Sequence, residues 1–144
     1  MAGENEGIEA VEAELGERMI RCTRLRVSAP FHCKLMEPAK MKLEKAFKDV
    51  TFMTPKVPIV LNYDGVPETD IERIKEKVLL QTMSPVRWVD SVKNLGNLGV
   101  ELFVECGPGN TLTKLIKNIL PDSEAIYVNN SITLENALGR MGKG

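Results

Sequence analysis

The chain has 144 residues, 43% of them hydrophobic, which is enough apolar material to build one globular domain with a real core. Its 19 basic and 20 acidic residues leave a formal net charge of −1, so no strong electrostatic field favours nucleic acid or an anionic membrane as a partner. The sequence opens without a basic and then apolar leader, contains no run of about 18 apolar residues, and has no C-x-x-C pair among its three cysteines, so we expect a cytoplasmic protein with reduced thiols.

The first half of the chain is predicted to alternate between helices and strands. A helix is indicated near the N-terminus by apolar residues at helical spacing, namely Ile8, Val11, Leu15 and Met19. Segment 21–27, RCTRLRV, indicates a strand, and the apolar stripe over 36–50 indicates a helix with Pro38 in its first turn. Segment 57–62, VPIVLN, is nearly all apolar, which is typical of a strand buried on both faces of a parallel sheet.

The second half continues the same alternation. Ile71, Ile74 and Val78 indicate a helix, and Ser84 and Pro85 are predicted to be the N-cap and first residue of the next one, which ends near Gly96 and Gly99. Then follow a strand in 100–106, a helix in 111–120, a strand in 124–128 and a last helix in 133–141. The residues of the 111–120 helix predicted to face inward are Leu112, Leu115, Ile116 and Ile119. This order predicts an α/β fold, a parallel sheet with flanking helices.

Two loops follow predicted strands, and functional groups of open α/β sheets gather at such places. In the second loop, CGPGN at 106–110, Gly107 and Gly109 permit a tight turn before a helix. The loop lacks the third glycine of a dinucleotide fingerprint, because Leu112 stands there, and it lacks the Lys-Ser/Thr of a P-loop. Turn geometry is the favoured interpretation, and an anion held at the helix N-terminus is the alternative.

The first loop, APFHC at 29–33, contains His32, the only histidine of the chain. A lone histidine is more often a hydrogen-bonded structural residue than a catalyst, although its titration range suits proton transfer. A general base also needs a nucleophile. Cys33 is a poor partner because neighbours in an extended segment point to opposite sides, and no G-x-S-x-G sequence occurs. The residues alone therefore leave both roles open for His32.

Four segments in order carry a family resemblance: VSAPFHCKLMEPA, VTFMTPKVPIVLN, LLQTMSPVRWVDSV and VELFVECGPGNTLTKLIK. Together they resemble the C-terminal portion of malonyl-CoA:acyl-carrier-protein transacylases, and the match runs from about residue 6 to the end. Acyltransferase domains of polyketide and fatty-acid synthases share the pattern. The resemblance implies an α/β-hydrolase-like large subdomain, here residues 28–144, preceded in residues 1–27 by the last helix and strand of a ferredoxin-like small subdomain.

The chemistry implied by the resemblance is a ping-pong transfer in fatty-acid biosynthesis. A serine takes malonyl from malonyl-CoA as an ester and passes it to the phosphopantetheine thiol of acyl carrier protein. His32 matches the family's general base and acid, and Gln81 matches the residue whose main-chain carbonyl orients that histidine. Phe31 resembles an aromatic residue associated with malonyl selectivity. The resemblance implies no bound cofactor, since the coenzyme A thioester and the phosphopantetheine are substrates.

The family's G-H-S-x-G serine and its carboxylate-binding arginine have no counterpart in these 144 residues. Four nearby arginines match no such motif, namely Arg21, Arg24, Arg26 and Arg87. We therefore expect the isolated chain to be inactive and to associate with itself or with a missing N-terminal half. The alternatives are an acyltransferase fragment of a polyketide synthase, a non-catalytic module that binds carrier protein or coenzyme A, and a structural remnant.

Overall fold

A computed structural model describes residues 1–142 of the chain. The polypeptide divides into two compact units, Met1–Arg87 and Trp88–Gly144, which contain different sets of elements. No helix among the described residues is both long and apolar enough to cross a bilayer. The boundary predicted after residue 27 concerns subdomains of a longer protein, and it stays a prediction.

Three helices and a short hairpin make up the first unit. Its elements are α1 (Asn5–Glu17), α2 (Glu37–Ala46), β1 (Ile59–Val60), β2 (Pro67–Glu68) and α3 (Ile71–Leu80). Short 3-10 turns, Lys34–Met36 and Phe47–Asp49, flank α2. Pro38 lies in the first turn of α2, where the N–H that proline lacks would have no partner within the helix. The helices predicted for this half of the sequence are confirmed.

The strand predicted over residues 21–27 is wrong, because these residues are exposed and form no strand. A strand needs a hydrogen-bonded neighbour, and the described residues place none beside this segment. The segment is tied instead to α1, since two nitrogens of the Arg24 guanidinium each lie 2.7 Å from an oxygen of Glu12. Leu25 and Val27 stay exposed here. The predicted association of the isolated chain would cover such side chains, and it stays a prediction.

The prediction for VPIVLN is also wrong in pairing and burial. Only Ile59–Val60 is a strand, and it pairs antiparallel with Pro67–Glu68. The chain reverses directly after it, because Gly65 adopts a φ of 71° and donates its N–H to the carbonyl of Leu61 at 3.0 Å. A hairpin with so short a connection places its strands antiparallel, so an apolar run alone did not determine the type of sheet.

The second unit contains the parallel sheet that the sequence predicts. Its elements are α4 (Trp88–Asn97), β3 (Leu102–Cys106), α5 (Thr111–Ile119), β4 (Glu124–Val128) and α6 (Ser131–Met141). Strands β3 and β4 pair in parallel from Leu102 opposite Glu124 to Cys106 opposite Val128. Helix α5 connects them, as a parallel pair requires a crossover. The α/β class is confirmed by this β3–α5–β4 arrangement.

A small apolar core holds the second unit together. Its buried members are Val92 of α4, Phe103 of β3, Ile116 of α5 and Ala125 of β4. The side chains packed around this core cluster are Trp88, Leu95, Val100, Ile119 and Leu120. Helices α4 and α5 and strands β3 and β4 thus contribute one side chain each to the centre, which fixes how the two helices lie against the sheet.

Two details of the helix predictions for this unit need correction. Helix α4 begins at Trp88 rather than at Ser84 and Pro85, and the N–H of Arg87 instead donates to the carbonyl of Asn62 at 2.9 Å. In α5, Ile116 and Ile119 pack inward as expected, but Leu112 and Leu115 are 41% and 40% exposed. One stripe of a helix faces the sheet, and in α5 it passes through Thr113 and Ile116, which turns the two leucines away.

Candidate active site

His32 lies in the loop between residues 27 and 34 and has a strained main chain. Its φ of 64° is in the left-handed region, which costs a non-glycine residue about 1–3 kcal/mol. Its N–H donates to the main-chain carbonyl of Thr82 at 3.2 Å. The imidazole itself is exposed. A strained backbone with an exposed imidazole is a common feature of functional sites, because surrounding contacts must hold the conformation.

The ring of His32 is held by Gln81, the residue that the family resemblance pairs with it. Its Nδ1 lies 3.0 Å from the main-chain carbonyl oxygen of Gln81. A carbonyl oxygen can only accept, so Nδ1 carries the hydrogen in this bond and Nε2 of the neutral ring has a free lone pair. The predicted contact between His32 and Gln81 is therefore present, and it leaves Nε2 as the basic nitrogen. The catalytic roles of both residues stay predictions.

Gln81 and Thr82 directly follow the last residue of α3, where helix carbonyls lack partners within the helix. Both of their carbonyls are satisfied by His32, one by the ring and one by the main chain. His32 thus binds Gln81, the C-cap residue of α3, although the two lie 49 residues apart in the sequence.

A network of ion pairs holds α3 against the β1–β2 hairpin. Nζ of Lys77 lies 2.9 Å from a carboxylate oxygen of Asp64 and 3.3 Å from one of Glu68. Burial opposes the charge of Lys77, but hydrogen bonds to both carboxylates outweigh it and raise the pKa of Lys77. At the other end of the helix, the Asp70 side chain accepts the N–H of Arg73 at 2.9 Å. These contacts fix the element that presents Gln81.

The other candidates of the first loop lie beside His32. Phe31 is 45% exposed, and its N–H donates to the carbonyl of Ala29 at 2.9 Å. The thiol of Cys33 lies 3.2 Å from the carbonyl oxygen of Pro30, to which it donates. The role of Phe31 in acyl selectivity stays a prediction. Among the described residues, no group of three or more His, Cys, Asp or Glu side chains could hold a metal ion.

The glycine-rich loop at 106–110 is a turn whose helix end is already occupied. Gly107 and Gly109 adopt φ of 145° and 90°, which side-chain-bearing residues rarely do. One carboxylate oxygen of Glu105 accepts the N–H of Leu112 at 3.2 Å, and the other accepts the N–H of Thr113 at 2.8 Å. The N-terminus of α5 therefore binds a carboxylate of its own chain, which favours turn geometry over an external anion.

The contribution of Glu105 to the stability of the fold is expected to depend on pH. The hydrogen bond from the N–H of Thr113 lowers the pKa of Glu105 below its ordinary value of 4.5, with the Thr113 hydroxyl and the N–H of Leu112 adding to the effect against desolvation. Since the folded pKa is depressed, the stabilisation is present above the unfolded pKa and is lost as pH falls through the folded one. Glu105→Gln should therefore lower the unfolding midpoint more at pH 7 than near pH 3. Urea melts at both values check this, and equal losses would contradict it.

The chain is similar to known proteins in both sequence and structure. No protein-family model matches the chain. A malonyl CoA-acyl carrier protein transacylase of Salmonella typhimurium is 38% identical over 139 residues, which are 96% of this chain and 45% of that protein. An acyl carrier protein S-malonyltransferase of Vibrio cholerae is 37% identical, with a TM-score of 0.88 over 94% of this chain and 44% of that one.

The chain is homologous to the C-terminal portion of malonyl CoA-acyl carrier protein transacylases. It spans less than half of the length of the relatives it matches. A further solved structure is a malonyl-transacylase in complex with its type II polyketide acyl-carrier protein, 35% identical, with a TM-score of 0.89 over 96% of this chain and 45% of that one. The resemblance carried by the four sequence segments is thereby confirmed.

Sequence reasoning did not find the contacts of three residues, Thr82 and Lys77 in the first unit and Glu105 in the second. Thr82 and Lys77 act through contacts with residues distant in the chain, and Glu105 caps a helix that begins six residues later. The capping box spans three residues, so the spacing of Glu105 matches no local pattern. No short-range signal could have found these contacts.

Proposed function

We propose that this chain supplies the histidine part of a transacylase site that moves malonyl from malonyl-CoA to the phosphopantetheine thiol of acyl carrier protein. The observation that carries the proposal is the hydrogen bond from His32 Nδ1 to the Gln81 carbonyl, because it leaves Nε2 as a base. Homology to the transacylases supports the reaction class. The nucleophilic serine and the carboxylate-binding arginine are proposed to come from the part of such an enzyme that this chain does not match.

In the first half-reaction, Nε2 of His32 accepts the hydroxyl proton of that serine as its oxygen attacks the thioester carbonyl. The carbon–sulfur bond then breaks, and the departing coenzyme A thiolate takes the proton from the imidazolium. In the second half-reaction, Nε2 takes the proton of the phosphopantetheine thiol as the sulfur attacks the carbonyl carbon of the seryl ester. The ester carbon–oxygen bond then breaks, and the departing serine oxygen takes the proton from the imidazolium. No redox step or bound cofactor takes part in this sequence.

The hydrogen bond to Gln81 supports both half-reactions in the same way. It holds the ring direction and keeps the hydrogen on Nδ1, which is the task of the aspartate in a Ser-His-Asp triad. A main-chain carbonyl adds no full charge. It accepts more strongly from the imidazolium than from the neutral ring, so it favours the state in which His32 holds the serine proton.

Acyl carrier protein and malonyl-CoA are the proposed partners, together with an N-terminal half or a second copy of the chain. The solved complex of a malonyl-transacylase with its carrier protein supports the first of these. The cytoplasmic location expected from the sequence belongs to the same proposal. A polyketide pathway is the second candidate, because the carrier protein of that complex is a type II polyketide one. Transfer rates to fatty-acid and polyketide carrier proteins, measured side by side, would separate the two pathways.

Phe31 is proposed to restrict the acyl group, since it precedes the base and its ring is half exposed. A bulky ring beside the reacting carbon would exclude the branched methylmalonyl group. Phe31→Ala should therefore raise the ratio of methylmalonyl to malonyl transfer by about 10-fold to 100-fold, the usual range for discrimination of one methyl group. Competition between the two thioesters checks this. An unchanged ratio would leave Phe31 as a packing residue only.

Transfer to carrier protein tests the proposal as a whole. The chain, a separately expressed N-terminal half from a homologous transacylase, and their mixture would each be incubated with malonyl-CoA and carrier protein. We expect malonylated carrier protein only from the mixture. Transfer by the chain alone would contradict the proposal, and failure of the mixture, with binding between the halves demonstrated, would favour a structural remnant or a non-catalytic binding module.

A further inference from the structure

The carbonyls of two consecutive residues after α3, Gln81 and Thr82, both bind His32, one through its ring and one through its main chain. The carbonyl of Gln81 accepts from the ring of His32 at 3.0 Å, and the carbonyl of Thr82 accepts from its main-chain N–H at 3.2 Å. The bond to Thr82 is made by the main-chain N–H of His32, whose φ is 64°. The direction of both carbonyls therefore sets the position of the ring relative to the backbone that carries it.

The side chain of Thr82 fixes that direction. Its hydroxyl donates to the carbonyl of Leu79 at 2.7 Å, whereas its N–H reaches the same carbonyl only at 3.4 Å. In the next step of the chain, the N–H of Met83 donates to the carbonyl of Leu80 at 3.1 Å. These bonds span three residues, so the chain continues beyond α3 as a tighter turn, and its strongest tie is the hydroxyl.

Removal of the Thr82 hydroxyl is expected to loosen the turn that follows α3. Thr82 is partly buried, so water replaces the lost donor poorly if the hydroxyl is removed. The carbonyl of Leu79 would then keep only the long bond from the main chain, and the turn that presents Gln81 and Thr82 would loosen. The strain at His32 would favour relaxation of the loop, because the contacts to these two carbonyls oppose it.

We propose that Thr82 is a positioning residue for His32, acting through the Leu79 carbonyl to aim the two carbonyls that hold the base. This inference deepens the proposed function and rests on it for its catalytic consequence. It also predicts that the tautomer of His32 depends on the Thr82 hydroxyl. With the hydroxyl present, Nδ1 carries the hydrogen. Without it, the ring exchanges between tautomers as free imidazole does.

Nitrogen-15 NMR of the imidazole tests this in the chain as it exists. His32 is the only histidine, so the spectrum contains one imidazole and needs no assignment. At a pH where the ring is neutral, the wild type and Thr82→Ser should show the Nδ1–H tautomer. Thr82→Val, which has the same shape without the hydroxyl, should show a mixture of tautomers. Amide spectra of each variant check that the first unit stays folded.

Each outcome decides the proposal. A single Nδ1–H tautomer in a folded Thr82→Val chain would overturn it, as would an Nε2–H tautomer in the wild type. If the valine variant does not fold, Thr82→Ala and Thr82→Ser are compared instead. The wild-type tautomer remains a test by itself.

Kinetics separate this inference from the proposed function. In the mixture with an N-terminal half, Thr82→Val should lower kcat about 10-fold to 100-fold with little change in the KM for malonyl-CoA, and Thr82→Ser should restore it. Loss of activity in both variants would indicate a merely structural role for Thr82. Transfer that survives His32→Ala would refute the proposed function while leaving the NMR result intact.

Discussion

Replacing His32 with alanine is expected to lower the rate of malonyl transfer by the complemented enzyme about 10²-fold to 10⁴-fold, the usual contribution of a general base. The imidazole is the only group of its kind in the chain, so no second histidine of this polypeptide can replace it. The rate should be measured under single-turnover conditions with carrier protein in excess. Binding of the two halves, measured separately, shows that the loss is chemical.

Cys33→Ala is the matched control for this change. Cys33 is the next residue in the loop, and its thiol donates to the carbonyl of Pro30. Its removal should leave the transfer rate within a fewfold of wild type, because the thiol has no part in the proposed chemistry. Near-normal transfer by the His32 variant would refute the assignment of the base. A large loss in the Cys33 variant would instead point to that thiol as a nucleophile.

Phe103→Ala is expected to destabilise the second unit by about 3–5 kcal/mol, the usual cost of emptying a buried phenylalanine site. Phe103 is 8% exposed and packs with Val92, Ile116 and Ala125 at the centre of the core cluster. Trp88, the only tryptophan, packs against this cluster and reports its unfolding by fluorescence. Urea titration gives the free energy of unfolding.

Val104→Ala is the control on the same strand. The side chain of Val104 points to the opposite face and is 37% exposed, so its truncation should cost less than about 1 kcal/mol. Similar losses from the two substitutions would contradict the assignment of the core to the Phe103 face of β3.

The helices were the most predictable part of the fold. Stripes such as Ile71, Ile74 and Val78 determine a helix locally, and α3 follows that stripe with Ile74 buried. Strands were less predictable, because segment 21–27 and the VPIVLN run have suitable composition but their pairing depends on distant residues. The start of α4 was missed for a similar reason, since Arg87 is bound to Asn62.

The candidate site could be predicted only in part. The residues alone left His32 undecided, and the pairing with Gln81 came from resemblance, because the two are 49 residues apart. Sequence patterns did not indicate the left-handed main chain of His32, the hydrogen bond from its N–H to the Thr82 carbonyl, or the ion pairs of Lys77 with Asp64 and Glu68. All of these depend on how α3 lies against other segments of the first unit.

The location of the malonyl ester tests most directly whether His32 acts on a nucleophile from outside these residues. The chain and an N-terminal half would be mixed with malonyl-CoA without carrier protein, quenched in acid, and weighed separately by intact mass spectrometry. We expect the malonyl adduct on the N-terminal half, no adduct on this chain, and adduct formation slower by about 10²-fold to 10⁴-fold when His32 is alanine. A stable malonyl adduct on this chain would contradict the proposed division of the site.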